Sequence, residues 1–199
     1  MSATLKPKVL FIGFGHLAKS LLSKKLLNSV NIHALNSKGV IKNINLKKKI
    51  LNFNNDYKYI FLLVRPKTFL TSGNQFQKYL SKETLVISCM AGIKLSTIEK
   101  TLKSKKIVRI MPNVMALNNK SQTHIYMKNK NLFDSKLKKI LSTFGTIINV
   151  RNEDQINFAT SVFGSGPAFI AYIVNIFVKA SKKLAKPYHM NEKLSLIHI

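Results

Sequence analysis

Phe11-Ile12-Gly13-Phe14-Gly15-His16-Leu17-Ala18 decides the fold of this chain. An apolar strand over Lys8 to Ile12 runs straight into a Gly-x-Gly-x-x-Ala turn, and the turn opens an amphipathic helix carrying Leu17, Leu21, Leu22 and Leu26 at helical spacing. Gly13 permits the tight strand-to-helix turn, Gly15 lacks the Cβ that would keep backbone amides away from a pyrophosphate, and Ala18 is small enough for close helix–strand packing. The helix start adds unpaired amides and the positive end of its dipole. The stretch reads as a dinucleotide-phosphate cradle.

Outward from this turn, strand and helix signals alternate. Strands are expected over Lys8 to Ile12, Asn31 to Leu35, Tyr57 to Val64, Thr84 to Met90, Lys106 to Met111, Thr123 to Met127 and Thr146 to Val150. Helices are expected over His16 to Leu27, Leu95 to Leu102 and Leu132 to Phe144, with a short helical turn near Thr68 to Leu80. That order predicts an α/β fold, a Rossmann-type, mostly parallel sheet with crossover helices. After Arg151 the pattern turns helical, over Asp154 to Phe163 and Ala168 to Leu184, and the second helix is apolar nearly all round. The domain boundary is therefore expected at 151, with residues 1–151 binding the dinucleotide and 152–199 beginning an all-helical domain.

With 199 residues at 46% hydrophobic, the chain can bury a full core and part of a second. No signal peptide is expected at the N-terminus, and the apolar stretch Phe169 to Val178 is short for a membrane span and carries Asn175. The single Cys89 fits a reducing compartment, and no metal site is expected. The reading is a cytoplasmic protein with no membrane partner. Its charge of +26 invites a nucleic-acid reading, but of 33 basic residues only Arg65, Arg109 and Arg151 are arginine, the residue favoured for specific phosphate and base contacts. The lysine runs at 47–49 and 136–139 read as solvated faces, with no specific nucleic-acid partner and only non-specific polyanion binding at low salt.

The second strand ends in Asn36-Ser37-Lys38, about 20 residues past the glycines, where NAD enzymes place a carboxylate on the ribose 2′-hydroxyl. No carboxylate stands there. Ser37 and Lys38 can instead donate to a 2′-phosphate, which favours NADP (NADPH) over NAD; the bland alternative is that Lys38 is one lysine among many.

Four further segments follow in order: Val64-Arg65-Pro66-Lys67, Ser88-Cys89-Met90-Ala91-Gly92, Arg109-Ile110-Met111-Pro112-Asn113 and Gly164-Ser165-Gly166-Pro167-Ala168-Phe169. Singly, each has a bland account: Cys89 a buried apolar residue, Pro66 and Pro112 strand stops, Asn113 a turn former, Gly164 to Pro167 a helix break. As an ordered set with the glycine turn, they resemble the pyrroline-5-carboxylate reductase family, from about Lys8 to Leu184. The resemblance implies pyrophosphate binding at Ile12, Gly13, Phe14, Gly15, His16 and Leu17, and ribose-phosphate contact at Ser37 and Lys38. It implies cofactor contacts at Leu63, Val64, Arg65 and Pro66, and nicotinamide neighbours at Cys89, Met90 and Ala91. On the substrate side it implies Asn113, Gly164, Ser165, Gly166 and Pro167.

What it further implies is NADPH-dependent reduction of 1-pyrroline-5-carboxylate to proline in a homodimer or higher homo-oligomer. His16 reads as structural or cofactor-contacting rather than acidic, and His33, His124, His189 and His198 as incidental. The chain departs from the family at Arg65 for Lys, at Val114-Met115 for Thr-Pro, at Phe163 for a small residue and at Asn175 for an acidic one. The family's Gly-Gly-Thr segment, whose hydroxyl contacts the substrate, has no counterpart here, so no catalytic donor is assigned. The expectation is a C-terminally truncated chain in which Leu194 to Ile199 is not native. The competing reading is a non-catalytic, truncated or degenerate dinucleotide-binding module.

Overall fold

A computed structural model describes residues 6–50 and 56–185. His189, His198 and Leu194 to Ile199 lie outside the described residues. Among those described, nine strands form one sheet in the order β4-β3-β2-β1-β5-β6-β7-β8-β9. They are β1 (Lys8–Ile12), β2 (Asn31–Leu35), β3 (Ile41–Asn43), β4 (Lys48–Ile50), β5 (Tyr59–Leu62), β6 (Leu85–Ser88), β7 (Ile107–Met111), β8 (Ser121–Tyr126) and β9 (Gly145–Asn149). The helices are α1 (His16–Ser20), α2 (Lys24–Ser29), α3 (Pro66–Ser72), α4 (Leu95–Leu102), α5 (Ser135–Leu141), α6 (Asp154–Ala159) and α7 (Gly166–Ala185).

Strands β1, β5 and β6 are nearly continuous apolar runs because both sheet faces are covered. Along β1, Val9 and Phe11 join one buried cluster with Leu21, Leu26, Leu137 and Phe144, while Leu10 and Ile12 join another with Phe69, Ile98 and Leu102. Helices α1, α2 and α5 therefore cover one face, and α3 and α4 the other. Strands β2, β1, β5, β6 and β7 are parallel, as expected of a Rossmann-type α/β fold.

Besides shifts at element ends, a 3-10 turn over Gly73–Tyr79 and a π-turn over Thr160–Gly164, the structure differs from expectation in the following respects. The helix expected over His16 to Leu27 is two helices, because Ser23 caps α2 by accepting the Leu26 amide at 3.2 Å. The hairpin β3–β4 extends the sheet beyond β2, antiparallel throughout. And β8 runs antiparallel to β7 before β9 pairs with it in parallel.

By its internal contacts the chain divides into units 1–164 and 165–199. Helix α6 belongs to the first, with Ile156 and Ala159 fully buried beside β7 and β8. In the second, α7 carries exposed Phe169, Ile170, Tyr172, Ile173 and Phe177. Residues 154–184, helical nearly throughout, are long and apolar enough to cross a membrane by length and composition alone.

Candidate functional site

In an open α/β sheet, ligands bind outside the carboxyl ends of strands where the order of winding reverses. Here the chain leaves β1 to one side for β2 and later returns to the other side for β5, so the reversal lies between β1 and β5. A cleft of about 680 Å³ opens there. Its lining brings together Ile12, Gly13, Phe14, Gly15, Ser37, Leu63, Val64 and Arg65, all singled out from the sequence.

Backbone bonds stitch the floor of the cleft. Gly13 N–H donates to the Leu35 carbonyl at 3.0 Å, and Leu63 N–H to Ile12 at 2.8 Å. Gly13 sits at φ +95°, and a Cβ there would fall 2.8 Å from the Leu63 carbonyl carbon and oxygen. Its glycine is thus demanded by the crossing of the neighbouring chain as well as by the turn. Gly15 is the reverse case: it has ordinary φ (−85°) and, among the described residues, α1 begins with no side-chain cap and a Cβ on Gly15 would meet nothing within 4 Å. That open space at the mouth of α1 is room a bound phosphate can fill, so the residues present fit a dinucleotide.

The loop after β2 is organised by Asn36, whose role the sequence reading missed. Its Oδ1 accepts the amides of Lys38 at 2.9 Å and Val40 at 3.0 Å, and Gly39 turns at φ +73°. The arrangement is an Asx turn, to which Asn is suited by its short carboxamide. It leaves Ser37 and Lys38 exposed, with Ser37 on the cleft. On the opposite wall Arg65 precedes α3, Pro66 occupies its first turn, and Thr68, Gln75, Phe76 and Tyr79 complete the lining.

His16, Leu17, Lys38, Pro66, Cys89, Met90 and Ala91 do not line this cleft. Cys89 and Met90 are buried just past β6, Cys89 N–H bonds to the Leu62 carbonyl at 3.0 Å, and Ala91 is exposed beyond them. Burial pushes the Cys89 thiol far above its ordinary pKa, so it stays protonated and unreactive.

A second constellation forms at the end of β7. Asn113 donates from Nδ2 to the Phe163 carbonyl at 3.0 Å, and its Oδ1 accepts the Met115 amide at 3.1 Å. Its own amide donates to Ser121 Oγ at 3.1 Å. His124, on β8, stacks on Phe163 with ring centroids 4.7 Å apart, and burial lowers its pKa. Thus Asn113 and Gly164 are brought to one place, while Ser165, Gly166 and Pro167 begin the second unit. Among the described residues no group of three or more His, Cys, Asp or Glu could hold a metal ion.

No family model matches the chain. Pyrroline-5-carboxylate reductase of Staphylococcus aureus is 31% identical over 195 residues, covering 89% of this chain and 70% of that protein. The chain belongs to the pyrroline-5-carboxylate reductase family. Its fold agrees with those of pyrroline-5-carboxylate reductases, which are oxidoreductases. The Plasmodium falciparum pyrroline carboxylate reductase with NADP bound superimposes with TM-score 0.73 at 22% identity, over 96% of this chain and 74% of that one. The Streptococcus pyogenes enzyme gives 0.71 at 20% identity, over 95% and 73%.

Proposed function

We propose that this chain is an NADPH-dependent reductase of 1-pyrroline-5-carboxylate, forming proline in the last step of proline biosynthesis. The reading is carried by the cleft at the β1/β5 reversal, where Gly15 leaves the space of a Cβ open beside uncapped amides of α1. Family membership supplies the substrate class. The bound dihydronicotinamide would supply a hydride to the C=N carbon, an electrophile already activated when its nitrogen is protonated.

Ile12 to Leu17 would hold the pyrophosphate, and Leu63 to Pro66 the other wall of the cofactor. Ser37 and Lys38 would take the ribose phosphate: the loop 35–40 carries no carboxylate, and Asn36 commits its oxygen to backbone amides instead. That favours NADP over NAD. Cys89 to Ala91 would border the nicotinamide. The turn Gly164 to Pro167 would meet the substrate carboxylate with backbone amides, and the buried strand ends would keep water from the reacting carbon.

Helix α7, in the second unit, is read as part of a helical pairing domain, while α6 stays with the dinucleotide-binding unit. The exposed apolar residues of α7 support pairing with a second copy, and Asn175 together with Lys179, Lys182 and Lys183 argues for that over a membrane span. The protein is read as cytoplasmic. Loss of NADPH absorbance with 1-pyrroline-5-carboxylate tests the reaction, with dinucleotide binding measured in parallel by fluorescence. Turnover supports the proposal; binding without turnover makes the chain a dinucleotide-binding module, and neither refutes both.

A further inference from the structure

Residues 160–164 form a π-helical turn between α6 and α7. Such turns put backbone carbonyls out of helical register and recur at functional sites. The carbonyl of Phe163 has a second difficulty, written in the sequence. Its ordinary helical donor is the amide of residue 167, and residue 167 is proline, which has none. A part-buried carbonyl without a donor is costly, so one must come from elsewhere.

It comes from Asn113, which is 50 residues away in the chain and donates Nδ2 to Phe163 O at 3.0 Å. Asn113 is itself held: its amide is bonded to Ser121 on β8, and its Oδ1 caps the turn over Val114–Asn118 through Met115 N–H. Phe163 is fixed from the side by the His124 ring at 4.7 Å, and Gly164 lies over Met111, close enough that an added Cβ would be 3.5 Å from Sδ.

The geometry points to Asn113 as a positioning residue rather than a substrate ligand: its carboxamide replaces the donor that Pro167 removes, and so clasps the junction turn to the end of β7. The consequence for the substrate side rests on the function proposed above, in which Gly164 to Pro167 meets the imine carboxylate. The clasp itself does not.

The two residues are predicted to be energetically coupled. Asn113→Asp keeps the oxygen that caps Met115 but turns an acceptor toward an acceptor; Pro167→Ala returns an amide at the position the Phe163 carbonyl needs. In the full chain, hydrogen exchange of peptides spanning 156–166 should accelerate about tenfold in Asn113→Asp, the scale of one lost buried hydrogen bond. In the Pro167→Ala background the same substitution should accelerate exchange by less than about threefold. Asn113→Ser, whose single hydroxyl can keep the short cap but lacks the second polar atom that reaches Phe163, serves in the same cycle where Asp prevents folding.

Equal acceleration in both backgrounds, or none in either, overturns the clasp. In turnover, KM for 1-pyrroline-5-carboxylate should rise in Asn113→Asp with KM for NADPH unchanged, and fall back in the double variant. An unchanged imine KM beside accelerated exchange overturns the positioning role. Exchange is read without turnover, so a chain that reduces no imine counts against the proposed reaction and leaves the clasp to the exchange cycle alone.

Discussion

Arg109, with 1% of its side chain exposed, donates Nη1 to the Glu153 carboxylate at 2.5 Å. The same Glu153 oxygen accepts the Leu95 amide at 2.6 Å, so one carboxylate ties the start of α4 and the middle of β7 to the entrance of α6. The other Arg109 terminal nitrogen, Nη2, is buried and has no hydrogen-bond partner among the described residues. Taking away Glu153 would leave a buried guanidinium uncompensated. Glu153→Ala should therefore cost about 3 kcal/mol, read as a lower urea midpoint. Glu153→Gln, which can still accept the Leu95 amide, should cost less.

The two glycines of the turn should fail in different ways. Gly13→Ala forces a side chain into the left-handed region and into the Leu63 backbone, and should destabilise the fold by about 1–3 kcal/mol. Gly15→Ala meets nothing and should cost less than about 1 kcal/mol of stability, while weakening dinucleotide binding by roughly tenfold or more. Thermal unfolding and fluorescence titration on the same samples separate these effects; equal loss of affinity without loss of stability in both would contradict the assigned geometry.

Ser37→Asp should move the ratio of NADPH to NADH affinity toward NADH by on the order of tenfold, the scale of a charge-assisted hydrogen bond. Competitive titration with the two cofactors reads it. No shift would mean the ribose lies elsewhere than the Asn36 turn.

Stability should depend on pH through His33 and His124. Burial lowers both pKa values; at His33 Lys8 adds to the effect and Asp56 opposes it, and at His124 the Gln122 backbone opposes it. The unfolded chain then binds more protons than the folded one below about pH 6.5, so stability rises with pH there and levels off above. Tm should fall as pH drops from 6.5 toward 5. His124→Phe, which keeps a ring against Phe163 and removes the titrating nitrogens, should flatten part of that slope.

Limited proteolysis should leave a core ending near Gly164. A cut near Arg151 would have to expose Ile156 and Ala159, which are buried with the sheet, whereas α7 displays apolar side chains to solvent. Mass spectrometry of the trimmed product distinguishes the two ends.

How much of this could be read from sequence depended on how residues are held. The parallel strands were legible because Val9 to Ile12 or Tyr59 to Leu62 are apolar runs buried on both faces. Strands β3 and β4 carry too little of that signal: Ile41-Lys42-Asn43 and Lys48-Lys49-Ile50 are short and lysine-rich, and exist because they pair with β2 and with each other. The direction of β8 was legible in principle, since nine residues between Met111 and Ser121 are too few for a parallel crossover. The glycine cleft could be anticipated because backbone geometry selects its residues. Asn36 could not, because an Asn that organises a loop looks in sequence like any other in an Asn-rich chain; Asn113 was legible as a turn former, but its bond to the Phe163 carbonyl 50 residues away was not.

Cys89 gives the protein an internal clock. It is the chain's only cysteine, 7% exposed at the carboxyl end of β6, and burial holds its sulfur as a thiol. A thiol reagent meets it fully only when the cover over the carboxyl end of β6 opens, so the rate at which the native protein is labelled reports local openings there, without any engineered probe.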